Sequence, residues 1–249
     1  MKYIKTVICA LCAFALALPS CAAGWYCRHT TDGAIPDCPP EFSFLEKCDG
    51  FYLNEKAAET GEKVVYLTFD AGYENGNVEK VLDVLKEKNV TGAFFVLENL
   101  IVRNEELVRR MGDEGHLVCN HTAKHKNITR ISEEEIKKEI DSLESVGKEH
   151  GIEVAHYFRP PEGELDEKSA SYVSSLGYKT VMWSFAYADW DNAKQMSPDR
   201  AKKKILDSVH CGEIMLLHPT SATNAAVLGD VIDELKSQGY RFGSLTELE

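Results

Sequence analysis

The stretch Val64-Val65-Tyr66-Leu67-Thr68-Phe69-Asp70-Ala71-Gly72 decides the fold of this chain, because six β-favouring residues run straight into an acid and a glycine. Such a run, bounded by a turn signal, predicts a buried strand. Just beyond it Val78, Val81, Leu82 and Leu85 fall on one face at helical spacing. The same alternation repeats downstream. Strands are expected at Gly92 to Val96, from Leu117-Val118, near His156-Tyr157-Phe158, from Lys179 to Trp183, from Ile214 to Leu217 and near Tyr240-Arg241-Phe242. Helical patterns lie between them. One passes through Leu107 and Val108, and another opens on a capping box of Ser132 and Glu135 and buries Ile136, Ile140 and Leu143. Asp166 is a predicted N-cap, Ser197-Pro198 a cap with proline at the first helical position, and Gly177 and Gly239 follow helix ends. About seven β/α units in series predict a parallel sheet, closed into a barrel or left open and doubly wound.

Working outward, residues 24–62 contain Pro36, Pro39 and Pro40 and read as an irregular arm. Before it, Lys2 and Lys5 precede an apolar run from Thr6 to Leu18, and Pro19, Ser20, Cys21, Ala22 and Ala23 follow. A basic start, a short apolar stretch and a small-residue exit predict a signal peptide over 1–23 and an exported protein. Leu18-Pro19-Ser20-Cys21 also resembles a lipoprotein signal, with Cys21 as the lipidated residue. Of eight cysteines, Cys9, Cys12 and Cys21 belong to this segment, leaving Cys27, Cys38, Cys48, Cys119 and Cys211. Cys27 and Cys38 bracket a Gly- and Pro-containing loop and are the expected disulfide of an oxidising compartment. The 249 residues are 44% hydrophobic, enough for one good-sized core, and carry a net charge of -12. That balance argues against a nucleic-acid partner, which requires a basic footprint. No protein partner is indicated, and a neutral polymer substrate fits.

Polar residues of catalytic type gather at predicted strand ends. Asp70 follows the first strand, His121 and His125 the third, Arg159 the fourth, Asp189 and Trp190 the fifth, and His218 the sixth. In a parallel α/β protein these ends share one rim, where active sites are built. His121 and His125 are four apart but do not form HExxH, since Thr122 stands where that motif needs a glutamate. His29, His116, His150, His156 and His210 belong to no motif.

In order, Thr68-Phe69-Asp70-Ala71-Gly72, His121-Thr122-Ala123-Lys124-His125, Arg159-Pro160-Pro161-Glu162-Gly163, Asp189-Trp190 and Leu216-Leu217-His218 resemble the five motifs of the polysaccharide deacetylases (the NodB-homology family, carbohydrate esterase family four). The resemblance runs from Lys63 to the C-terminus, marking 63–249 as the catalytic domain. Asp70 to Gly76, with Trp25-Tyr26, is similar more narrowly to the delta-lactam biosynthetic de-N-acetylases, which act on N-acetylmuramic acid of peptidoglycan and are associated with the spore cortex. The resemblance implies a distorted (β/α) barrel of about seven parallel strands. It implies Asp70 as general base, His218 as general acid, and Arg159, oriented by Asp189, holding Asp70 ionised. It also implies a divalent metal ion on His121 and His125, and an acetyl pocket walled by Leu216 and Trp190. A backbone N–H near Glu162 is the expected oxyanion donor. As Asp70 and His218 sit on a rim, their substitution is expected to spare folding.

Two positions depart from the family pattern. Most members have a second, metal-binding acid directly after the base, and this chain has Ala71. Weak binding of the ion, or a substitute carboxylate, is therefore expected. Glu162 stands where many relatives have tyrosine or arginine, and is expected to meet substrate or to make up for the missing acid. The alternatives are a chitin or N-acetylglucosamine deacetylase, a glycosidase using Asp70, Glu162 and Glu164, and a sugar-binding relative without activity.

Overall fold

The computed structural model describes residues 23–248, so the expected signal segment and the lipidation candidate Cys21 lie outside the described residues. The first strand, β1 (Ala23–Gly24), starts the arm, which then supplies β2 (Gly50–Phe51) and helix α1 (Glu55–Thr60). Next come β3 (Val64–Ala71), α2 (Val78–Lys88), β4 (Ala93–Val96), α3 (Glu98–Arg103) and α4 (Glu105–Asp113). After β5 (Leu117–Asn120) and α5 (Glu133–Glu149), the chain forms β6 (Ala155–Phe158), β7 (Glu164–Leu165) and α6 (Glu167–Ser175). It ends through β8 (Lys179–Val181), α7 (Pro198–Ser208), β9 (Glu213–Leu217), α8 (Ala222–Ser237) and β10 (Arg241–Phe242).

The local signals act only in part as expected. Ser132 Oγ accepts from Glu135 N (3.3 Å), but the expected box is half formed, because the Glu135 carboxylate pairs with Lys126 instead. Ser197 precedes α7 with its proline at the first helical position but makes no side-chain cap bond among the described residues. Asp166 and Ser169 form a reciprocal capping box at α6. Gly177 and Gly239, just past α6 and α8, take φ of 84° and 87°, where an L side chain would be strained.

The central sheet has eight strands, the seven expected and β2. All of its ladders are parallel, with β3 lying between β4 and β9. The sheet curls into a distorted barrel. Beyond β8, Phe185 bridges Met215, and Leu216 N donates to Phe185 O (2.8 Å), so the chain after β8 meets β9. Lower down, β2 is inserted there: Gly50 and Phe51 pair with Thr180 and Val181, while Leu53 bridges Glu213. The arm is therefore less irregular than its prolines suggest. Two-residue strands carry no alternation, which is why the sequence pattern did not reveal β2.

Strand alternation sorts the core into layers. Val65, Leu67 and Phe69 of β3 pack with Val81, Leu82 and Leu85 of α2 and with Val227, Leu228 and Val231 of α8. Val64 and Tyr66 face the other way, clustering with Phe95, Cys119, Tyr157, Val181 and Ile214. Thr68 and Asp70 continue that second row toward the C-terminal end of β3.

The expected disulfide is absent: Cys27, Cys38, Cys48, Cys119 and Cys211 are all free thiols. Cys38 Sγ lies against the carbonyls of Pro39 and Phe42. Cys27 instead hydrogen-bonds to the backbone of Ala186. The Gly- and Pro-containing loop carries the two thiols to different neighbours rather than folding them together.

Candidate active site

The site forms where β3, β5, β6 and β9 end. Phe158 closes β6, and the next residue, Arg159, turns its whole side chain into the barrel, where it is fully buried. Every guanidinium nitrogen donates. Nε bonds Val181 O (2.9 Å), Nη1 bonds Asp70 Oδ1 (2.8 Å), and Nη2 bonds Thr68 Oγ1 (2.9 Å) and Met182 O (3.2 Å). The guanidinium also lies 4.2 Å from the Phe95 ring centre, a cation–π contact strengthened by burial. Burial pushes the Asp70 carboxyl up, but Arg159, His121 and His218 outweigh it and hold it below the ordinary carboxylate range. Asp70 is thus an ionised carboxylate with Oδ2 turned toward His121.

His121 follows β5. Its Nδ1 donates to Arg159 O (2.8 Å), which leaves Nε2 as the free nitrogen, 3.7 Å from Asp70 Oδ2. Burial pushes this imidazole down to about 4, so near neutrality it is uncharged, with a lone pair on Nε2. A ring oriented through its other nitrogen by a carbonyl is the usual form of a metal-binding histidine. His125 is exposed, and its ring centre lies 5.0 Å from that of His121. The loop that brings the two together is strained: Thr122 has φ 70° and His125 φ 56°. A β-branched residue there is uncommon and needs support from its surroundings. Thr122 N donates to Asn120 Oδ1 (2.9 Å), His125 N to Thr122 Oγ1 (2.9 Å), and Lys124 N to Glu139 Oε2 (2.8 Å).

Asp189 does not orient Arg159, contrary to expectation. It is buried beneath His218, accepting from His218 Nδ1 (2.7 Å) on Oδ1 and from His218 N (2.8 Å) on Oδ2. The reason is topological: Asp189 follows β8 on the side facing β9, whereas Arg159 meets the β8 carbonyls from inside the barrel. Burial pushes the His218 imidazole down, but Asp189 more than offsets it, leaving the group above its ordinary value. Asn224, on α8, steadies the pair by donating to Asp189 Oδ2 (2.6 Å) and His218 O (3.0 Å).

Trp190 is 62% exposed, with its ring 6.3 Å from that of His218. Leu216 is buried on β9. Glu162 is exposed in the left-handed region (φ 60°). Among the described residues no three His, Cys, Asp or Glu side chains group so as to hold a metal ion, so Glu162 does not complete the histidine pair. His121 and His125 are the two donors that would hold a divalent ion, with water completing its shell. Asn224 and Thr68 had no assigned role in the sequence reading. Asn224's only sequence signal is a polar residue on the apolar face of α8.

A family model described as polysaccharide deacetylase matches residues 57–181. The chain is similar to the peptidoglycan-N-acetylmuramic acid deacetylase PdaA of Bacillus subtilis, at 40% identity over all of this chain and 96% of that protein. The solved structure of PdaA, a family 4 carbohydrate esterase, superposes with a TM-score of 0.86 over 93% of this chain and 98% of its own. A family 4 carbohydrate esterase from Bacillus anthracis gives 0.75 at 35% identity, covering 94% of this chain and 98% of its own. A peptidoglycan-N-acetylglucosamine deacetylase of Bacillus cereus is 29% identical over 83% of this chain and 74% of that protein.

Proposed function

The chain belongs to the polysaccharide deacetylase family, and from that premise we propose that it hydrolyses the N-acetyl group of N-acetylmuramic acid in peptidoglycan, on the route to muramic delta-lactam. The observation that carries the chemistry is a pair of oppositely tuned groups: an ionised Asp70 held by Arg159, and a readily protonated His218 held by Asp189. Each feels the other's charge across the site. Such divergence supports Asp70 as base and His218 as acid. Identity with PdaA along the whole chain supports the choice of sugar ring.

Asp70 Oδ2 accepts a proton from a water as its oxygen attacks the acetyl carbonyl carbon. Arg159 keeps Asp70 deprotonated for that step. His218 then donates from Nε2 to the departing nitrogen, because Nδ1 is engaged by Asp189. The C–N bond breaks, leaving acetate and a free amine. Trp190 and Leu216 wall the acetyl group. A divalent ion on His121 and His125 would polarise the carbonyl and acidify the attacking water. A glycosidase working through Asp70, Glu162 and Glu164 would leave Arg159, His218, His121 and His125 without a role.

Defined peptidoglycan fragments incubated with the enzyme and read by mass spectrometry test the proposal. The expected product has lost acetyl from the muramic ring. Loss from the glucosamine ring would move the substrate, and chain shortening would overturn the hydrolase class. We also propose export to the cell envelope through cleavage after Ala23. N-terminal sequencing of secreted protein should begin at Gly24, and a lipid-bearing start at Cys21 would replace that cleavage with lipoprotein anchoring.

A further inference from the structure

Five large hydrophobic side chains are exposed among the described residues, and two of them, Tyr73 and Trp190, flank the reacting groups. Tyr73 lies three residues after Asp70 and is 46% exposed. Its ring is nonetheless held, since Asn192 Nδ2 donates to Tyr73 Oη (2.9 Å) from the loop that carries Trp190. The Tyr73 loop is pinned on other sides as well. Asn75 Nδ2 and Asn77 Nδ2 both donate to Thr220 O (2.9 and 3.0 Å), two residues past His218. Asn99 Nδ2 donates to Gly72 O (3.2 Å).

An aromatic ring fixed by its hydroxyl yet left uncovered presents an apolar face at little further entropic cost, as rigid tyrosines do in binding surfaces. A pyranose ring is complementary to it: its C–H face is apolar, while its hydroxyls point outward to water. We propose that Tyr73 is the stacking platform for a second sugar ring of the glycan strand, beside the ring that loses its acetyl group. This rests on the deacetylase reading above. Trp190, next to His218, borders the reacting ring, and Tyr73, linked to that loop through Asn192, supports the neighbouring one.

Two measurements test the platform. Acetate release is followed on strands of increasing length, and co-sedimentation with purified sacculi is measured in parallel without any need for turnover. Tyr73→Ala is expected to raise KM on long strands by roughly tenfold, with a loss that grows with the number of rings and falls on KM rather than kcat. It should weaken co-sedimentation by a similar factor, while Tyr73→Phe, which keeps the ring but loses the Asn192 bond, loses only a small part of either. Tyr73→Ala that folds normally, sediments with sacculi like the wild type and shows no length-dependent KM overturns the platform. If no acetate is released from any substrate, the deacetylase reading fails by itself, and sedimentation still decides whether Tyr73 binds glycan.

Discussion

Among the described residues Arg159 is the largest side chain fully enclosed, and its counter-charge there is Asp70, so base strength and stability are joined in a single ion pair. The rim position of Asp70 suggests that its substitution spares the fold. The structure corrects that, because losing one partner of a buried pair costs about 3–5 kcal/mol. Asp70→Asn keeps an acceptor for Arg159 and should fall at the lower end of that range. Asp70→Asn and His218→Ala should each lower turnover by about a hundredfold or more, and thermal denaturation beside acetate release separates the two effects. Near-normal release by either folded variant removes that residue from the chemistry. Asp189 makes a sharper prediction. It holds the His218 imidazole above its ordinary value, so the acid stays protonated past the ordinary histidine range and is lost as pH rises through the folded value. Asp189→Asn should move the alkaline limb of the kcat–pH profile to lower pH, toward about 6.5. An unmoved limb would sever Asp189 from the acid. Strand-end position placed both Asp189 and His218 on the rim, and the family resemblance paired Asp189 with Arg159; strand-end position could not correct that, because it does not say which side of a strand its neighbours occupy.

The loop between β5 and α5 carries the two histidines through left-handed backbone at Thr122 and His125, and what stabilises it comes from α5. Glu139, nearly buried on that helix, accepts from Ala123 N through its carbonyl (3.1 Å) and from Lys124 N through Oε2 (2.8 Å). Its Oε1 lies 3.0 Å from Lys126 Nζ. Glu139→Ala keeps the backbone bond to Ala123 N, and Lys126 keeps Glu135, but Lys124 N loses its acceptor, at a cost of about 1–3 kcal/mol, which should loosen His125 relative to His121. Metal affinity is expected to fall roughly tenfold to a hundredfold, as when supporting groups of a metal ligand are removed. Calorimetric titration with a divalent ion, with a melting curve alongside, measures both. Unchanged affinity in a destabilised variant would confine Glu139 to the fold. The ends of this loop were legible from the β5 run and the Ser132 cap. Its interior was not, since the positive φ at Thr122 is held by the Asn120 side chain and by the bonds of the next two residues to Glu139, rather than by propensity.

At the scale of the whole molecule, the parallel strands were legible because each had enough alternation or length to register, and the rim followed from them. Closure was not legible from periodicity, which leaves barrel and open sheet equal, and was expected only from the family resemblance; the two ends meet through Phe185 and Met215 and through the inserted β2. At that meeting point lies a buried polar group outside every catalytic motif. His210 Nδ1 faces Glu213 Oε2 (3.0 Å) and Ser208 O (3.1 Å), while Nε2 meets Ser184 Oγ (2.8 Å). Ser184 Oγ also accepts from Ile214 N (3.2 Å), and Ser184 N donates to Ile214 O (3.0 Å), which joins the end of β8 to β9. Glu213 Oε1 is buried without a hydrogen-bond partner among the described residues. Burial pushes Glu213 up against the pull of His210, and Glu213 raises His210 against the effect of its own burial. Both directions mean that the folded pair keeps a proton at pH values where the unfolded chain has released it. For His210 the stabilisation is complete below the ordinary histidine value and is lost as pH rises through the folded one; for Glu213 the ionised form costs stability above its raised value. The two act in the same sense, so the melting temperature should fall as pH rises above about 6.5, where an unfolded histidine gives up its proton and the folded pair still keeps it. Glu213→Gln keeps an acceptor for His210 N but removes the shared proton, and should flatten that slope. Melting curves across the range decide it: a wild-type slope that the variant reproduces would place the pH dependence elsewhere than at the barrel's closure.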